Sequence, residues 1–410
     1  MRERTGVAPV ITEPIRLEDD FFQDPHAVYR RLREEGPVAP AVTPWGRRIW
    51  LVTRYDEARA LLADPRLSKD NKRVAELIGN QITATAQNSP GVSPLAGHML
   101  NSDPPDHTRL RTLVNKAFTA RTVARLRPRI EEITDALLDD VAAAGTVDLM
   151  EAFAAPLPTT VISELLGVPA EDSHVFRAWM SSLLSGASPE VFQRDATALM
   201  EFLNGLIADK RRAPTDDLLS ELVHVSERGD RLAESELVPM VFLLLLAGHE
   251  TTVNLIGNSV LALMENPDQL AALRADLSLL PTAIEEFLRF DGPVDVATLR
   301  FTTEPVRAGD TEIPAGEFVM VALLSANRDA ERFPGPDRLD VTRQAGGHLA
   351  FGHGIHYCVG APLARLEAEI ALGKLLRRFD TIELDGDPGA LRWRASTLFR
   401  GLEKLPVRVS

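Results

Sequence analysis

Apolar residues follow a helical period through most of this chain and alternate only in short stretches. Between Thr108 and about Met264 they recur at helical spacing, which predicts a mainly helical region. The period is interrupted at turn-forming residues, namely Gly145, Pro156, Gly167 and Pro214. Upstream, Arg48 to Arg54 predicts a strand that leads into a helix from Tyr55 to Ala63.

The remaining segments complete a fold class that is mainly α with a small β part. Glu312 to Leu324 alternates around Pro314-Ala315-Gly316, which predicts a hairpin. Asn71 to Met99 has turn residues and little period, so we expect an irregular segment that acts as a lid. The polar residues before Asp20 predict a loose arm. No linker-like change of composition divides the chain, so we expect residues 1–410 to form a single domain.

Composition narrows the classes of function. The chain has 410 residues, of which 45% are hydrophobic, and a formal net charge of -14. An acidic surface without a long basic run makes a poor general binder of nucleic acid. The single cysteine excludes an internal disulfide, and neither a signal peptide nor an apolar run of membrane-spanning length is found. We therefore expect a cytoplasmic protein that binds neither nucleic acid nor membrane.

That cysteine, Cys358, lies in a glycine-rich loop. Three glycines within Phe351–Gly360 allow the backbone to approach a flat ligand closely. The last helix is expected to begin near Pro362, so Cys358 would precede a helix N-terminus. The dipole and free N–H groups there favour a thiolate, which is the metal-binding form of cysteine. The alternative for a cysteine without context is a buried, inert side chain.

A second segment combines an apolar helix with polar side chains. Leu237 to Gly248 is apolar on nearly all sides, which predicts a buried helix. An acid and two hydroxyls follow at Glu250–Thr252, and burying them is costly unless they find partners. Gly248 weakens a helix by about 1 kcal/mol relative to alanine, so we expect a local opening that holds a small ligand and water. The alternative is a helix end capped by threonine, but the apolar period resumes past Asn254.

Two further pairs of polar residues are spaced so that each pair lies on one face of a helix. Glu286 and Arg289 are three residues apart on a helical stretch, and taken alone they would be an ordinary surface ion pair. His107 and Arg111 are four apart after a proline-rich start, so they share one helix face. Without further context, each of these charges would be solvated.

Together these motifs resemble the cytochrome P450 family. The fixed positions of its haem-binding loop are matched by Phe351, Gly354, Cys358 and Gly360. Ala247–Thr252 resembles its oxygen-activation motif, with Glu250 and Thr251 as the acid–alcohol pair that supplies protons. The resemblance covers nearly the whole chain and implies a largely α, triangular single domain. It makes Cys358 the axial ligand of haem b, whose electron donation assists O–O cleavage.

The resemblance also implies the remaining site residues. Those expected to contact haem are His107, Arg111, Ala247, Gly248, Thr251, Arg300, Phe351, Gly352, His356, Cys358 and Gly360. The cations for the two propionates would be His107, Arg111, Arg300 and His356. A buried ion network bracing the cysteine loop would contain Glu286, Arg289 and Arg328. The substrate pocket would be lined by Leu95, Leu244, Ala247, Gly248, Val294, Ala297, Thr298, Leu398 and Phe399.

The implied activity is insertion of one oxygen atom from O2 into a C–H or C=C bond. The sequence is similar to soluble actinomycete-type members that tailor macrolides and other secondary metabolites, or that hydroxylate sterol-like compounds. A hydrophobic small molecule of polyketide, terpenoid or sterol-like type is therefore the expected substrate. Because the chain has no cysteines for an iron–sulfur cluster and no flavin domain, electrons would come from a ferredoxin and ferredoxin reductase.

Two alternative functions remain, and the electron donor is expected to dock on one particular surface. A peroxygenase would use the same thiolate haem with hydrogen peroxide, and a non-catalytic haem-binding or sensor protein would not consume oxygen. The ferredoxin is expected on the cysteine-loop side of the haem. Candidate contacts there are Arg109, Lys116 and Arg365.

Overall fold

Helices account for most of the chain. The computed structural model describes residues 14–81, 94–169, 172, 175, 178–179, 189–225 and 230–410. In chain order the helices are α1 (Asp19–Gln23), α2 (Pro25–Glu35), α3 (Tyr55–Ala63), α4 (Asn71–Gln81), α5 (Asp106–Ala117), α6 (Ala120–Arg125), α7 (Arg127–Ala144), α8 (Pro156–Leu165), α9 (Pro189–Arg212), α10 (Leu218–His224), α11 (Glu234–Glu265), α12 (Pro267–Ala275), α13 (Leu280–Asp291), α14 (Leu323–Asn327) and α15 (Ala361–Arg378).

The strands are short and lie at the side of the helices. They are β1 (Ile15–Arg16), β2 (Val38–Val42), β3 (Arg48–Val52), β4 (Leu67–Ser68), β5 (Thr146–Asp148), β6 (Arg300–Thr302), β7 (Val306–Ala308), β8 (Thr311–Ile313), β9 (Phe318–Val321), β10 (Ile382–Leu384) and β11 (Pro406–Val409). Within the described residues the largest sheet has the order β1-β2-β3-β9-β6-β4. β3 runs parallel to β9, and β6 runs antiparallel to both β9 and β4.

The main core is built around α11. This helix packs against α8, α13 and α15, and most of its side chains are buried. By length and composition it could cross a membrane, but 72% of its apolar window is buried inside the protein. Two smaller apolar clusters lie at the large sheet. The helix that follows Cys358 therefore shares a core with the helix that carries Glu250 and Thr251.

Several predicted elements are confirmed. The strand at Arg48–Val52 leads into a helix at Tyr55–Ala63, and the last helix begins at Ala361. Gly145 ends α7 with a φ of +70°, and Pro156 is the first residue of α8. Glycine and proline mark these boundaries because glycine permits the left-handed turn and proline suits the first helical turn.

The predicted hairpin between Glu312 and Leu324 is wrong. β8 pairs with β7, whereas β9 pairs with β3 and β6, so the two strands belong to different sheets. Thr302 of β6 fixes the intervening turn, since its hydroxyl donates to the Pro314 carbonyl at 2.6 Å and accepts from the Glu317 N–H at 3.0 Å. This long-range contact has no signature in the alternating pattern.

Two segments expected to be irregular contain regular structure. Asn71–Gln81 is helix α4, because Val74 and Leu77 share a face and pack together against the cluster at the sheet. The central part of the expected lid, residues 82–93, lies outside the described residues. The expected loose arm includes strand β1 and the fully buried Leu17, while residues 1–13 lie outside the description.

Candidate active site

The cysteine loop is fixed by its own backbone and by α3. The Cys358 N–H donates to the Phe351 carbonyl at 2.9 Å, which closes the loop just before α15. Gly354 has a φ of +75°, and a Cβ there would lie 3.0 Å from both the Leu62 carbonyl oxygen and the Ala63 Cα. Only glycine tolerates this conformation and this approach, so Gly354 determines how the loop docks on α3.

The Cys358 thiol experiences opposing effects. Burial raises the pKa of the thiol, while the N–H groups of Gly360 and Ala361 and the Arg111 guanidinium lower it. The N–H groups thus act in the expected direction, but in the polypeptide alone burial outweighs them and the pKa of the thiol lies above its ordinary value. A metal cation bound to the sulfur would supply the missing positive charge.

One face of α11 is open in the middle of an otherwise buried helix. Ala247 is exposed, and Thr251, one turn further on, is partly exposed. The Thr251 hydroxyl donates to the Ala247 carbonyl at 2.7 Å, which is a common local bond of helical threonine. Such an opening at the centre of the core indicates a cavity beside these two residues.

Gly248 does not open the helix. α11 continues without interruption through this position, so the expected local opening is wrong. A Cβ at residue 248 would lie 2.9 Å from Ile162 Cδ1, and the glycine therefore allows α11 and α8 to pack closely. Room on the cavity side comes from the small side chain of Ala247 instead.

Two side chains hold the carboxylate of Glu250. Its Oε1 atom accepts hydrogen bonds from Arg394 Nη1 and from Asn254 Nδ2, the latter at 3.3 Å. The Glu250 side chain is buried, whereas that of Arg394 is 38% exposed. Arg394 therefore joins the buried acid to the surface. Sequence reasoning missed Arg394, because no spacing signals a contact between residues 144 positions apart.

A second buried acid connects α11 with α15. Glu367 is buried and interacts with the Thr252 hydroxyl. Burial raises the pKa of Glu367 to about 8, although the nearby Thr252 hydroxyl acts in the opposite direction. The side chain is therefore mostly protonated at neutral pH. The sequence analysis did not select Glu367, because a glutamate on a helix is normally solvated.

The four predicted propionate cations converge beside the cysteine loop. The ring centroids of His107 and His356 are 4.3 Å apart, and Arg111 Nη2 donates to the Tyr357 carbonyl at 2.6 Å. Among the described residues, both ring nitrogens of His107 and the Nη1 atom of Arg300 are buried without a hydrogen-bond partner. Buried donors without acceptors indicate that an anionic group completes this cluster.

Two residues that the sequence analysis did not select share this environment, namely Lys69 and His98. Burial lowers the pKa of Lys69 well below its ordinary value, and the charge of Arg300 adds to this effect. Burial and the charge of Lys69 lower the pKa of His98 to about 4. Burial alone lowers the pKa of Arg300 to about 10. The cluster therefore carries more positive charge than its own carboxylates compensate.

The Glu286–Arg289 pair forms a fully buried ion network. Arg289 donates to Glu286 from Nε at 2.6 Å and from Nη2 at 2.8 Å. The second guanidinium on Glu286 is that of Arg343, at 3.1 Å from Nε to Oε1. Arg328, the expected third member, instead donates to the Phe290 carbonyl at 2.7 Å. The expected membership is therefore corrected from Arg328 to Arg343.

Glu285, the residue before Glu286, braces the segments on the two sides of the cysteine loop. It accepts hydrogen bonds from Arg365 at 2.6 and 2.9 Å and from His348 Nε2 at 3.1 Å. The Arg365 guanidinium also lies 4.5 Å from the centroid of the Phe351 ring. Burial alone would raise the pKa of Glu285, but these bonds outweigh it and lower the pKa to about 2. Arg365 thus braces the loop from within, while its side chain remains 36% exposed, and its expected role as a ferredoxin contact stays a prediction.

Arg109 is also engaged within the protein. It forms ion pairs with Asp230, at 3.4 Å, and with Glu236 in the first turn of α11. It lines a groove of about 690 Å³ with Thr108 and Thr112, on the face of α5 opposite to His107. Two carboxylates thus compensate its charge, while its side chain remains 33% exposed, and its expected role as a ferredoxin contact stays a prediction.

Two of the segments predicted to line the pocket, one after α13 and one near the C-terminus, contact each other. Val294 and Phe399 form an isolated antiparallel bridge, and the Asp295 N–H donates to the Leu398 carbonyl at 2.9 Å. These pairs join the segment after α13 to the C-terminal turn. Their contact brings apolar side chains from distant parts of the chain into one surface.

The other predicted pocket residues differ in their surroundings. The turn that contains Leu95 packs against α11, on which Leu244 is buried. Ala297 packs into the apolar cluster at the sheet, and Thr298 accepts a hydrogen bond from Lys69. Thr298 therefore lies between the pocket wall and the cation cluster.

Comparison with known proteins identifies the family. The family model for cytochrome P450 matches residues 175–392, a span that contains α11, the Glu286 network and the cysteine loop. The chain is a cytochrome P450. It is 57% identical over 405 residues to cytochrome P450 107B1 of Saccharopolyspora erythraea, and the match covers 98% of this chain and 99% of that protein.

Two other relatives carry names that mention a ligand. This P450 is 49% identical to the vitamin D(3) 25-hydroxylase of Pseudonocardia autotrophica, over 94% of each chain. It is 54% identical to the P450 monooxygenase TamI solved with tirandamycin C, with a TM-score of 0.89 and coverage of 97% of this chain and 100% of that one. The P450 fold, the monooxygenase class and haem b as cofactor are thereby confirmed, and the non-catalytic alternative has no support.

The described residues fit a haem. Cys358 offers a sulfur at the end of a closed loop, and the unpaired nitrogens of His107 and Arg300 await anionic acceptors. The exposed face at Ala247 provides an open surface within the core. A flat dianionic cofactor with a central metal meets all three requirements.

Proposed function

We propose that this P450 inserts one atom of O2 into a C–H or C=C bond of a hydrophobic secondary metabolite of macrolide, polyketide, terpenoid or sterol-like type. The observation that carries this proposal is the bridge between Val294 and Phe399, which joins two apolar segments into one pocket wall. The vitamin D(3) hydroxylase and the complex of TamI with tirandamycin C support the same class of substrate.

The substrate class is tested by a panel of such compounds. Each is titrated into the purified protein, and binding is scored by the shift of the haem spectrum from low to high spin. Macrolide-sized or terpenoid compounds are expected to produce the shift. Binding of small polar acids alone would contradict the proposal, and full turnover with hydrogen peroxide and no electron donor would favour a peroxygenase.

Cys358 is proposed to ligate the haem iron, while His107, Arg111, Arg300 and His356 hold the propionates. Haem, when bound, supplies the metal at which O2 is reductively activated. Support comes from the position of the sulfur before α15 and from the unpaired buried donors of His107 and Arg300. Cys358→Ala should abolish the red-shifted Soret band of the ferrous carbon monoxide complex. A variant that keeps this band would contradict the assignment.

Glu250 and Thr251 are proposed to move protons at the open face of α11. The Thr251 hydroxyl lies one turn from the exposed Ala247 and can hold a water or donate a proton there. Glu250 is buried, but its partner Arg394 is partly exposed, so water that follows this side chain inward can reach the carboxylate and exchange protons with it. Consecutive residues of a helix point in different directions, so Thr251 would act at the open face and Glu250 from the buried side next to it.

A ferredoxin, reduced by a ferredoxin reductase, is proposed as the electron donor. Support comes from Ile355 and Tyr357 of the cysteine loop, two of the three large hydrophobic side chains exposed in the described chain. Arg59 and Lys116 add exposed positive charges, the former close enough to lower the pKa of His353 together with burial. Such a surface suits an acidic protein with an apolar contact area.

Charge reversal tests this docking surface. Arg59→Glu and Lys116→Glu should slow reduction of the haem and flatten its salt dependence. Arg48→Glu, at an exposed position of β3, is the matched control and should leave reduction unchanged. Equal kinetics in all three variants and the wild type would contradict the surface.

We also propose that the protein acts in the cytoplasm as a single domain, which the burial of α11 supports.

A further inference from the structure

Lys69 is a buried cation to which the P450 motifs give no role. Lys69 is only 3% exposed to solvent. Its backbone N–H donates to Asp103 Oδ1 at 3.0 Å, and its Nζ donates to the Thr298 hydroxyl. In the part of the chain that the structure describes, this hydroxyl is the hydrogen-bond partner of the ammonium group. A buried ammonium is expected to have an anionic partner, so its site is incomplete as it stands.

Strand pairing sets Lys69 beside Arg300. β4 and β6 are antiparallel, and Ser68 pairs with Phe301. Continued by one residue, this antiparallel register places Lys69 opposite Arg300. The two cations therefore lie beside each other at the end of the ladder. The Nη1 atom of Arg300 has no hydrogen-bond partner among the described residues. The charge of Lys69 also acts on His107 and His356.

The fixed charges of this cluster leave two positive charges uncompensated. Lys69, Arg111 and Arg300 are three cations, and Asp103 is the carboxylate that acts on Lys69 and Arg300. Three positive charges and one negative charge sum to +2. Two ionised propionates carry the opposite charge, so the balance closes when Lys69 is included. Without Lys69, the fixed charges of the cluster would sum to +1.

We propose that Lys69 is a haem-propionate cation, held in position by the Thr298 hydroxyl. The inference rests on the haem site proposed above and adds a residue to it. The ammonium group would donate to a propionate oxygen and stabilise bound haem. A positive charge near the haem also favours the reduced state, because it attracts the added electron. Lys69 is therefore expected to affect both haem retention and the midpoint potential.

Lys69→Met removes the charge but keeps a side chain of similar length. The matched control is Lys72→Met, an exposed lysine at the start of α4. Haem loss is measured by transfer to excess apomyoglobin, and the midpoint potential is measured by spectroscopic redox titration without substrate. Lys69→Met should lose haem about tenfold faster than the wild type and have a lower midpoint potential. Lys72→Met should match the wild type, and Lys69→Arg should restore most of both properties.

Two outcomes would overturn the inference. One is a wild-type rate of haem loss together with a wild-type midpoint potential in Lys69→Met. The other is a change confined to substrate affinity, which would place the ammonium group in the pocket beside Thr298. If Lys69→Met does not fold, Lys69→Gln carries the same test, because its amide can still donate to Thr298. The Soret band of the carbon monoxide complex tests Cys358 separately, so failure of the haem site itself is distinguishable.

Discussion

Arg394 donates a hydrogen bond to Glu250, and this bond joins the C-terminal segment to the middle of α11. A second bond joins the same two segments, since the side chain of Asn258 of α11 donates to the Arg400 carbonyl at 3.0 Å. The pocket turn with Leu398 and Phe399 lies between these two attachments. A substrate that displaces this turn would therefore act on the partner of the acid, which couples occupation of the pocket to proton supply.

Arg394→Ala is expected to lower the amount of product formed per reducing equivalent, because the Glu250 carboxylate loses the guanidinium that holds it in position. Glu250→Gln should lower the rate of product formation by about tenfold or more, as expected for loss of a general acid–base group. In the Glu250→Gln background, Arg394→Ala should have little further effect.

The matched control for this experiment is Arg392→Ala, which removes the same charge from an exposed position two residues earlier. Product, hydrogen peroxide and consumed reducing equivalents are assayed together in each variant. An equal loss from Arg394→Ala in both backgrounds would show that Arg394 acts independently of Glu250.

Thr251→Ala is expected to divert reducing equivalents into hydrogen peroxide. The hydroxyl lies at the open face of α11, so its loss should affect proton supply while haem and substrate still bind. Thr251→Ser keeps the hydroxyl and should restore most of the product yield. The measurement is product formed per reducing equivalent, with peroxide assayed in parallel. Full wild-type coupling in Thr251→Ala would mean that the bond to the Ala247 carbonyl is its whole role.

The sequence predicted those parts of the site that lie close together along the chain. Gly354 and Cys358 belong to one loop, and Glu250 and Thr251 to one helix, so local spacing was enough to select them. Pro156 and Gly145 were found in the same way, because backbone preference is a property of the residue itself.

Contacts between distant segments left no such signal. Arg343 reaches Glu286 across 57 residues, and Thr302 fixes the turn that was taken for a hairpin. Gly248 was interpreted as a weak point because its spacing from Ile162 on α8 is visible only in three dimensions. Lys69 was passed over because a lysine in a polar stretch is normally solvated, and its burial depends on the pairing of β4 with β6.

Arg289→Met is expected to destabilise the fold by about 3 kcal/mol or more, because it leaves the buried Glu286 carboxylate without its bidentate partner. Arg338→Met is the control, since the Arg338 side chain is 76% exposed and its ion pair with Asp340 is worth less than about 1 kcal/mol. Chemical unfolding at neutral pH measures the free energy of unfolding of each variant. Similar values for the two variants would contradict a structural role for the network.

Glu367 is expected to make the stability of the fold depend on pH. Its pKa is about 8 in the folded protein, whereas a glutamate in an unfolded chain has a pKa of about 4.3. Above about pH 4.3 the unfolded chain releases this proton while the folded protein keeps it, so the free energy of unfolding falls as pH rises. The cost reaches about 4 kcal/mol near pH 7 and levels off at about 5 kcal/mol above about pH 8.

Glu367→Gln should therefore stabilise the protein at high pH. Glutamine is neutral and of similar size, so the cost of burying a carboxylate disappears. The gain in free energy of unfolding should be largest near pH 8 and should vanish towards about pH 4 to 5. Glu369→Gln, two residues along the same helix, loses a half-exposed ion pair with Arg127 and should show no such increase with pH. Chemical unfolding curves at several pH values measure both variants, and a gain from Glu367→Gln that is independent of pH would mean that Glu367 is already ionised in the folded protein.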